Sequence, residues 1–288
     1  MKSRFSYHRP CSASAARELK SQLGKNAVYW AGGTDLLLQW QRGARGVEHC
    51  IDITHCGMDI FYADQKSIHI GAAVRLSTLE GAAKIHQQLQ VLEETAKMMA
   101  TPQVRTVATV GGNICNAVPS ADTAPVLMVL GARLVTTNGE YSIDEFFKGV
   151  RKTALAEDEL LEEIIIPIKA NTAADYQRIT RSSVDISLTG AAVAITVDDK
   201  MNIISCRIAL NAVAPTPVRA KDAEEYLIGK NIGNLSDQEL TQAGELALKN
   251  IKPISDIRGS IEFRNYASMV TVKRAIRNVA CSLKKGVA

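Results

Sequence analysis

The spacing of hydrophobic residues alternates between the helical and the strand period along the first third of the chain. Residues 12–23 carry Ala and Leu at helical spacing and stop at Gly24, which predicts a helix closed by a glycine. Short apolar runs at 28–30, 51–53 and 68–70 predict strands. This alternation predicts a mixed fold of helices and strands.

The stretch up to Pro167 continues in the same way. Ser77 to Glu80 has the form of a capping box, and residues 89–100 predict an amphipathic helix that ends before Pro102. Three further elements are each bounded by a turn or a proline: a helix at 125–130, a strand at 133–137 and a strand at 161–166.

A small and polar segment at 169–175 predicts a domain boundary. Beyond it, apolar runs at 191–197 and 203–210 flank a short polar turn and predict an antiparallel hairpin. Two helices follow, one begun by a capping box at Ser236 and the last capped by Ser260.

Composition and charge narrow the class of protein. The 288 residues are 46% apolar and 22% charged, which supplies ordinary cores and argues against a disordered or collagen-like chain. A net charge of +4 without a long basic run argues against a nucleic-acid-binding surface. No apolar stretch approaches the roughly 20 residues of a membrane helix, and the N-terminus has no apolar signal-peptide core. We therefore expect a cytoplasmic protein of two or three globular units.

The six cysteines are scattered along the chain without a C-x-x-C pair. We expect them to be reduced and mostly buried. Cys50 and Cys56, which stand beside His49 and His55, are the residual candidates for a metal site, but no ligand set with zinc spacing surrounds them. The sequence therefore predicts no metal site.

Two glycine pairs are the main candidates for chemistry. Gly32-Gly33 follows a predicted strand, and Gly111-Gly112 interrupts an apolar segment. Glycines at a tight turn let backbone N–H groups approach an anion closely, so two such loops can hold both ends of a long diphosphate cofactor. Each pair alone is also compatible with a simple turn. Neither pair fits the G-x-G-x-x-G dinucleotide fingerprint or the P-loop pattern.

Three ordered motifs together resemble the FAD-binding subunits of molybdenum hydroxylases, the xanthine dehydrogenase type of enzyme. They are VYWAGGTDLL at 28–37, the run from Thr101 to Leu127 that contains ATVGGNICNAVPSADTAPVL, and PISDIRGSIEFR at 253–264. The resemblance spans nearly the whole chain. It is nearest to the separate FAD chain of bacterial xanthine dehydrogenases; the flavin subunits of carbon monoxide, nicotinate and hydroxybenzoyl-CoA enzymes are similar but less close.

The resemblance implies which residues bind FAD. The first loop, which in the family wraps the diphosphate and adenosine side, corresponds to Tyr29, Trp30, Ala31, Gly32, Gly33, Thr34, Asp35 and Leu36. The second loop, whose amides and hydroxyls meet the diphosphate, corresponds to Thr109, Gly111, Gly112 and Asn113. The remaining matches are Asp122 for a ribose-side hydroxyl, Met99 and Leu161 for apolar contacts, and Gln177 or Arg178 where the dehydrogenases have a lysine. No catalytic residue is implied on this chain.

The implied fold is α+β. A two-part FAD-binding domain of the PCMH/VAO-like type is expected over residues 1–174, with parts at about 1–57 and 58–174. A small α+β domain of the carbon monoxide dehydrogenase flavoprotein type, an antiparallel sheet with helices, is expected over 175–288. The hydroxybenzoyl-CoA branch carries an extra iron–sulfur insertion with no cysteine-rich counterpart here, so FAD alone is expected on this chain.

The implied function is electron transfer within a multi-subunit molybdenum hydroxylase. A molybdenum-cofactor (molybdopterin) subunit would hydroxylate a purine such as xanthine or hypoxanthine, and [2Fe–2S] clusters on an iron–sulfur subunit would relay the electrons to FAD on this chain, which reduces NAD⁺. Three alternatives stay open: the flavin subunit of a nicotinate, carbon monoxide or aldehyde enzyme, a stand-alone flavin oxidoreductase, and a non-enzymatic FAD-dependent module. The heterocycle, the acceptor and the oligomeric state are not fixed by this sequence.

Overall fold

The structure, a computed structural model, describes residues 5–43 and 46–286 of the chain. The first part is a parallel three-stranded sheet in which β3 lies between β1 and β2. Its elements are β1 (Ser6–His8), α1 (Ala13–Leu23), β2 (Ala27–Trp30), α2 (Leu36–Gln41) and β3 (His49–Asp52). The Ser12 side chain caps α1, and Gly24 follows its end with φ 61°, as the sequence predicts.

The middle part is a five-stranded antiparallel sheet, in the order β4-β5-β10-β6-β7, with helices packed on it. Its elements are β4 (Phe61–Ala63), β5 (Ser67–Gly71), α3 (Leu76–Leu79), α4 (Gln90–Met98), α5 (Pro102–Arg105), α6 (Val110–Asn116), α7 (Thr123–Leu130), β6 (Arg133–Thr136), β7 (Gly139–Ser142), α8 (Ile143–Phe146), β8 (Phe147–Gly149), β9 (Lys152–Thr153) and β10 (Leu161–Pro167). Strands β8 and β9 form a separate small hairpin.

The last part is a four-stranded antiparallel sheet, β11-β12-β13-β14, covered by helices. Its elements are β11 (Thr172–Ile179), β12 (Thr189–Val197), β13 (Ile203–Asn211), β14 (Val218–Arg219), α9 (Lys221–Leu227), α10 (Asp237–Ala247) and α11 (Ile261–Gly286). Short 3₁₀ turns complete the chain at Gly24–Asn26, Ala82–Lys84, Gln87–Leu89, Ile232–Asn234 and Leu248–Asn250.

The middle and last parts share a core because β12 is buried on both faces. Ala191, Val193 and Ile195 pack with the C-terminal helices. Ala192 and Ala194 alternate with them and join the core of the middle part, since successive side chains of a strand point to opposite faces. Helix α7, whose side chains are all buried, lies on this second face against β12 and β13.

The structure confirms the C-terminal predictions. The hairpin forms between β12 and β13. Ser236 and Glu239 make the reciprocal capping box of α10. The Ser260 hydroxyl accepts a hydrogen bond from the Phe263 N–H at 3.2 Å, as expected of the N-cap of α11.

Two local predictions are wrong, at Gly111-Gly112 and at Ser77, and two other segments show detail that the sequence pattern did not give. Gly111-Gly112 is not a loop but lies in the first turns of α6, because Thr109 caps a helix there. The polar segment at 169–175, where the sequence predicts a domain boundary, contains the start of β11 at Thr172, and β11 pairs with β12 along its length. Ser77 lies inside α3 and does not cap it. The helix predicted at 89–100 ends at Met98, and a new helix begins at Pro102.

Two features are absent from residues 5–43 and 46–286. None of the helices found there is long and apolar enough to cross a membrane. Nor does any group of three or more His, Cys, Asp or Glu side chains in 5–43 and 46–286 have the geometry of a metal site. Cys56 instead contacts the carbonyl oxygen of Pro10, and His49 contacts His8 at 3.2 Å.

Candidate functional site

A cavity of about 580 Å³ lies beside β2 and the turn that follows it. Pockets that hold small molecules and cofactors typically have about 300–1,000 Å³. Most of the lining comes from three segments: residues 27–36, residues 108–116, which include α6, and residues 153–161 between β9 and β10. Lys20 and Lys25 add two cationic side chains to the wall.

The two glycine pairs lie close together at this cavity, because the first pair packs against the backbone of the segment that carries the second pair. A Cβ on Gly32 would lie 2.6 Å from the carbonyl carbon of Val107 and 2.8 Å from the Cα of Ala108. Gly33 has φ +67° and a Cβ there would overlap the indole of Trp30. A Cβ on Gly112 would be 3.8 Å from that of Ala31, so the two motifs face each other.

The first glycine turn presents unpaired backbone donors. The N–H groups of residues 32–36 have no acceptor among the residues that the structure describes, and the Asp35 side chain does not cap α2. The first N–H groups of a helix have no intrahelical partner and attract anions. Because this turn lines the cavity, its backbone N–H groups form a concave surface that is suited to binding an anion.

The second glycine pair serves a different purpose. The N–H groups of Val110 and Gly111 donate to the carbonyl oxygens of Val74 and Ala72, both at 2.9 Å. The Gly112 N–H donates to the Thr109 hydroxyl at 3.0 Å. A Cβ on Gly111 would lie 2.6 Å from the Ala72 oxygen, so this glycine permits the docking of α6 on the sheet. The first backbone N–H groups of α6 are therefore already bonded, and a ligand in the cavity would contact the side chains of this helix instead.

Those side chains are two asparagines, one helical turn apart. The Asn113 Oδ1 accepts from the Thr123 hydroxyl at 2.6 Å, and the Asn116 Oδ1 accepts from Arg151 at 2.7 Å. Both asparagines line the cavity. Cys115 lies between them, and burial raises the pKa of its thiol to about 12, so the thiol is neutral and unreactive at neutral pH.

The third wall, residues 153–161, is fixed by a buried carboxylate. Glu159, 3% exposed, accepts from the Tyr141 hydroxyl at 3.1 Å and from the Ala156 N–H at 2.9 Å, and also bonds the Thr136 hydroxyl. Tyr29 ties β2 to the same wall by donating to the Asp158 carbonyl oxygen at 2.7 Å. Burial raises the pKa of Tyr29, so its hydroxyl stays protonated.

Asp122 lies next to this site but points away from the cavity. Its Oδ1 accepts from Tyr176 and Ser187, both at 2.6 Å, and from Asn211 at 3.0 Å, while its Oδ2 accepts from Arg178 at 2.8 Å. Burial, and then the Asp122 charge, raise the pKa of Tyr176 well above its usual value. The carboxylate therefore joins the start of α7 to the C-terminal sheet.

The structure brings most of the predicted residues to the cavity. Those that line it are Tyr29, Ala31, Gly32, Gly33, Thr34, Asp35, Leu36, Thr109, Gly111, Gly112, Asn113 and Leu161. Four predicted residues do not line the cavity. Trp30 packs with Phe5 on the opposite face of β2, and Met99 lies in the core of the middle part. Asp122 is enclosed by its hydrogen-bond partners, and the Gln177 side chain donates a hydrogen bond to Asp175. Arg178, the alternative to Gln177, is held by Asp122 and the carbonyl oxygens of Met98 and Ser183.

Several lining residues were missed. Lys20, Asn116, Thr153, Leu155 and Glu159 come from positions that carry no local signal of binding. Asn116 could have been found, because it stands one helical turn after Asn113 within a quoted motif. The others depend on chain segments far apart in sequence.

Two family models match the chain. One, described as the FAD binding domain in molybdopterin dehydrogenase, matches residues 3–169. The other, described as the CO dehydrogenase flavoprotein C-terminal domain, matches residues 174–279. Together they reproduce the order of a two-part FAD-binding domain and a C-terminal domain.

Individual proteins agree over the full length. The carbon monoxide dehydrogenase medium chain of Hydrogenophaga pseudoflava is 31% identical over 279 residues, which cover 95% of this chain and 96% of the relative. The xanthine dehydrogenase FAD-binding subunit of Escherichia coli O157:H7 is 31% identical over 280 residues, 94% of each chain. A solved carbon monoxide dehydrogenase chain from Hydrogenophaga pseudoflava superposes with a TM-score of 0.91 at 32% identity, covering 98% of this chain and 99% of that chain.

Proposed function

Because this chain belongs to the FAD-binding subunits of the molybdenum hydroxylase family, we propose that it holds FAD in the cavity described above and passes electrons from iron–sulfur clusters of a partner chain to NAD⁺. On this proposal the molybdenum partner hydroxylates a purine such as xanthine or hypoxanthine. The relatives are named as chains or subunits, in keeping with an oxidoreductase that works only as an assembly.

The observation that carries the proposal is the row of N–H groups at residues 32–36 on the cavity wall, which find no acceptor among the described residues. A diphosphate is an anion with several acceptor oxygens, and such a row matches it without any side-chain charge. Lys20 and Lys25 add positive charge to the same wall. The donor set therefore fits the diphosphate of FAD, and the binding of FAD by these residues stays a prediction.

When bound, FAD supplies the electron and hydride chemistry, and the protein supplies binding, orientation and electrostatics. Two buried carboxylates have no free role as acid or base, because Glu159 and Asp122 each hold three or more donors of the protein. The raised pKa values of Tyr29 and Cys115 keep both groups neutral. On this proposal the chain's own residues bind and position the cofactor.

A second candidate is the flavin subunit of a carbon monoxide dehydrogenase. The comparisons support it as well as they support the xanthine enzyme, since a medium chain of that enzyme and a xanthine dehydrogenase subunit are each 31% identical to this chain. Both candidate functions use the same cavity of this chain. They differ in the reaction that the molybdenum partner catalyses.

The first experiment is the visible absorption spectrum of the purified chain, with the released cofactor identified after denaturation. Stoichiometric FAD, bleached by NADH under anaerobic conditions, is the expected result. A colourless chain that takes up no FAD, alone or with its partner chains, would exclude the proposal. FAD that is bound but not reduced by NADH would remove NAD⁺ as the acceptor and favour the second candidate or the non-enzymatic module.

The second experiment reconstitutes the chain with its iron–sulfur and molybdenum partners. Reduction of the flavin by xanthine or hypoxanthine supports the purine enzyme, and reduction by carbon monoxide alone supports the second candidate. The isolated chain is the control. If it were reduced by xanthine without partners, the chain would be a stand-alone flavin oxidoreductase.

A further inference from the structure

We propose that a small crevice at the junction of the middle and last parts binds an inorganic anion through Lys169, Arg207 and Ser205. This junction crevice is separate from the cavity described above, and no residue lines both. The ligand that its donors and its size fit is a single-atom anion, chloride. The proposal does not depend on the binding of FAD.

One wall of the junction crevice is a row of hydroxyl side chains on the last sheet. Thr172, Thr196 and Ser205 are direct neighbours across β11, β12 and β13, so their side chains share one face of the sheet. Arg207 stands two residues beyond Ser205 on the same strand and therefore shares that face. The two threonine hydroxyls bond each other at 2.8 Å, whereas the Ser205 hydroxyl has no partner within residues 5–43 and 46–286.

Lys169 faces this wall from the segment that joins β10 to β11. Its side chain is half-buried, and a Cβ on Gly131, at the end of α7, would lie 3.9 Å from its Nζ atom. No carboxylate of the described residues lies within ion-pair distance of this ammonium group. Burial lowers the pKa of Lys169, and the positive charges of Arg207 and Arg219 lower it further. Lys169 is therefore a cation that the surrounding protein does not neutralise.

The two arginines share their carboxylates and leave positive charge over. Arg207 donates to a backbone carbonyl oxygen at 2.9 Å and to Asp144 at 2.8 Å. Arg219 donates to the same Asp144 oxygen at 3.0 Å and also holds Glu224. Two carboxylates thus face three cations, of which Lys169 is the one without a partner in the described ranges. The Nη1 group of Arg207 bonds no described residue, so it is a charged donor for an added anion.

The size of the junction crevice selects among anions. Its volume is about 10 Å³, close to the space that one water molecule needs. A single-atom anion can replace one water molecule there, whereas a phosphate or sulfate group is several times larger. An anion in this place would contact both β13 and the segment between β10 and β11. We therefore expect it to stabilise the junction between the middle and last parts.

The first test locates the anion directly in crystals of the full chain soaked in bromide, which replaces chloride and is identified by its anomalous scattering. We expect a bromide peak between Lys169 Nζ, Ser205 Oγ and the Arg207 guanidinium. Bromide peaks elsewhere on the surface, with none in the junction crevice, would overturn the proposal.

The second test measures the Tm of the full chain while chloride replaces gluconate at constant ionic strength. An anion that binds only the folded chain raises Tm with its concentration, and we expect a rise of about 2 °C by about 0.2 M chloride. Lys169→Met and Ser205→Ala should each lose most of this rise. Lys252→Met is the matched control, because Lys252 is an exposed lysine of the last part outside the crevice and its variant should keep the full rise.

The variants separate anion binding from a structural role. Ser205→Ala removes only a hydroxyl group, so it decides the question if Lys169→Met fails to fold. A Lys169→Met chain that is less stable but keeps the full chloride response would show that Lys169 only offsets the dipole at the end of α7, and would overturn the proposal. An equal response in wild type and Ser205→Ala would also overturn it, as would a bromide peak in the crevice without any chloride-dependent Tm. A rise that only phosphate produces, and that both variants lose, would overturn the choice of a single-atom anion.

Discussion

Replacing Asp122 by asparagine removes the charge from a buried carboxylate that four side chains share. Its oxygens receive Tyr176, Ser187, Asn211 and Arg178 at 2.6–3.0 Å. An asparagine of the same shape brings an NH₂ group in place of one oxygen, and that group meets donors rather than acceptors. The perturbation is therefore electrostatic and leaves little cavity.

The magnitude follows from burial. The side chains of Asp122 and Arg178 are each only 7% exposed, and their charged atoms lie 2.8 Å apart. Removal of one partner of a buried ion pair leaves an uncompensated charge and costs about 3–5 kcal/mol. We expect Asp122→Asn to lower the free energy of unfolding by about that amount, a large part of the total for most domains.

The assay is urea unfolding followed by circular dichroism, with Asp237→Asn as the control. Asp237 pairs with Lys273 and Arg277 but its side chain is 70% exposed, so its loss should be much smaller. The double variant Asp122→Asn with Arg178→Met should be more stable than the sum of the two single losses predicts. Strict additivity, or a loss no larger than that of the control, would refute the reasoning.

Three further outcomes are expected. Gly32→Ala should abolish FAD binding and lower the free energy of unfolding by about 1–3 kcal/mol, because the new Cβ overlaps the backbone. Gly112→Ala should have a smaller effect on both. Equal FAD titrations and equal thermal melts for the two variants would contradict this. The pKa of Glu239 is lowered from 4.5 to about 2 by Lys230 and Ser236, so its stabilisation is complete above about pH 4.5 and lost towards pH 2. Acid melts of Glu239→Gln should show a shallower decline than wild type over that range. Iodoacetamide at pH 8 should modify exposed Cys11 much faster than Cys115, whose pKa is raised to about 12; equal rates by mass spectrometry would contradict the raised pKa of that thiol.

Most elements with a local signal were predicted correctly. Ser12, Gly24 and Ser236 mark helix ends through their own side chains or backbone freedom, so a few neighbouring residues suffice to place them. The strand that begins within 169–175 has no local signal, because its small polar residues form β11 only by pairing with β12. The prediction failed at Gly111-Gly112 because a glycine pair is compatible with a helix whose backbone must approach a sheet closely.

The sequence by itself determined the alternation of helices and strands, the two glycine motifs and the family to which they belong, since these depend on residue identity at short range. Only the tertiary structure decided how the motifs are used. The N–H groups of α6 are taken by Val74 and Ala72, far away in sequence, so the free donors fall to residues 32–36. The same long-range packing turned Asp122 towards the C-terminal sheet and left the Asn116 amide nitrogen without an acceptor among the described residues. Which polar groups a fold satisfies internally, and which it leaves for a ligand, depends on contacts that no local pattern contains.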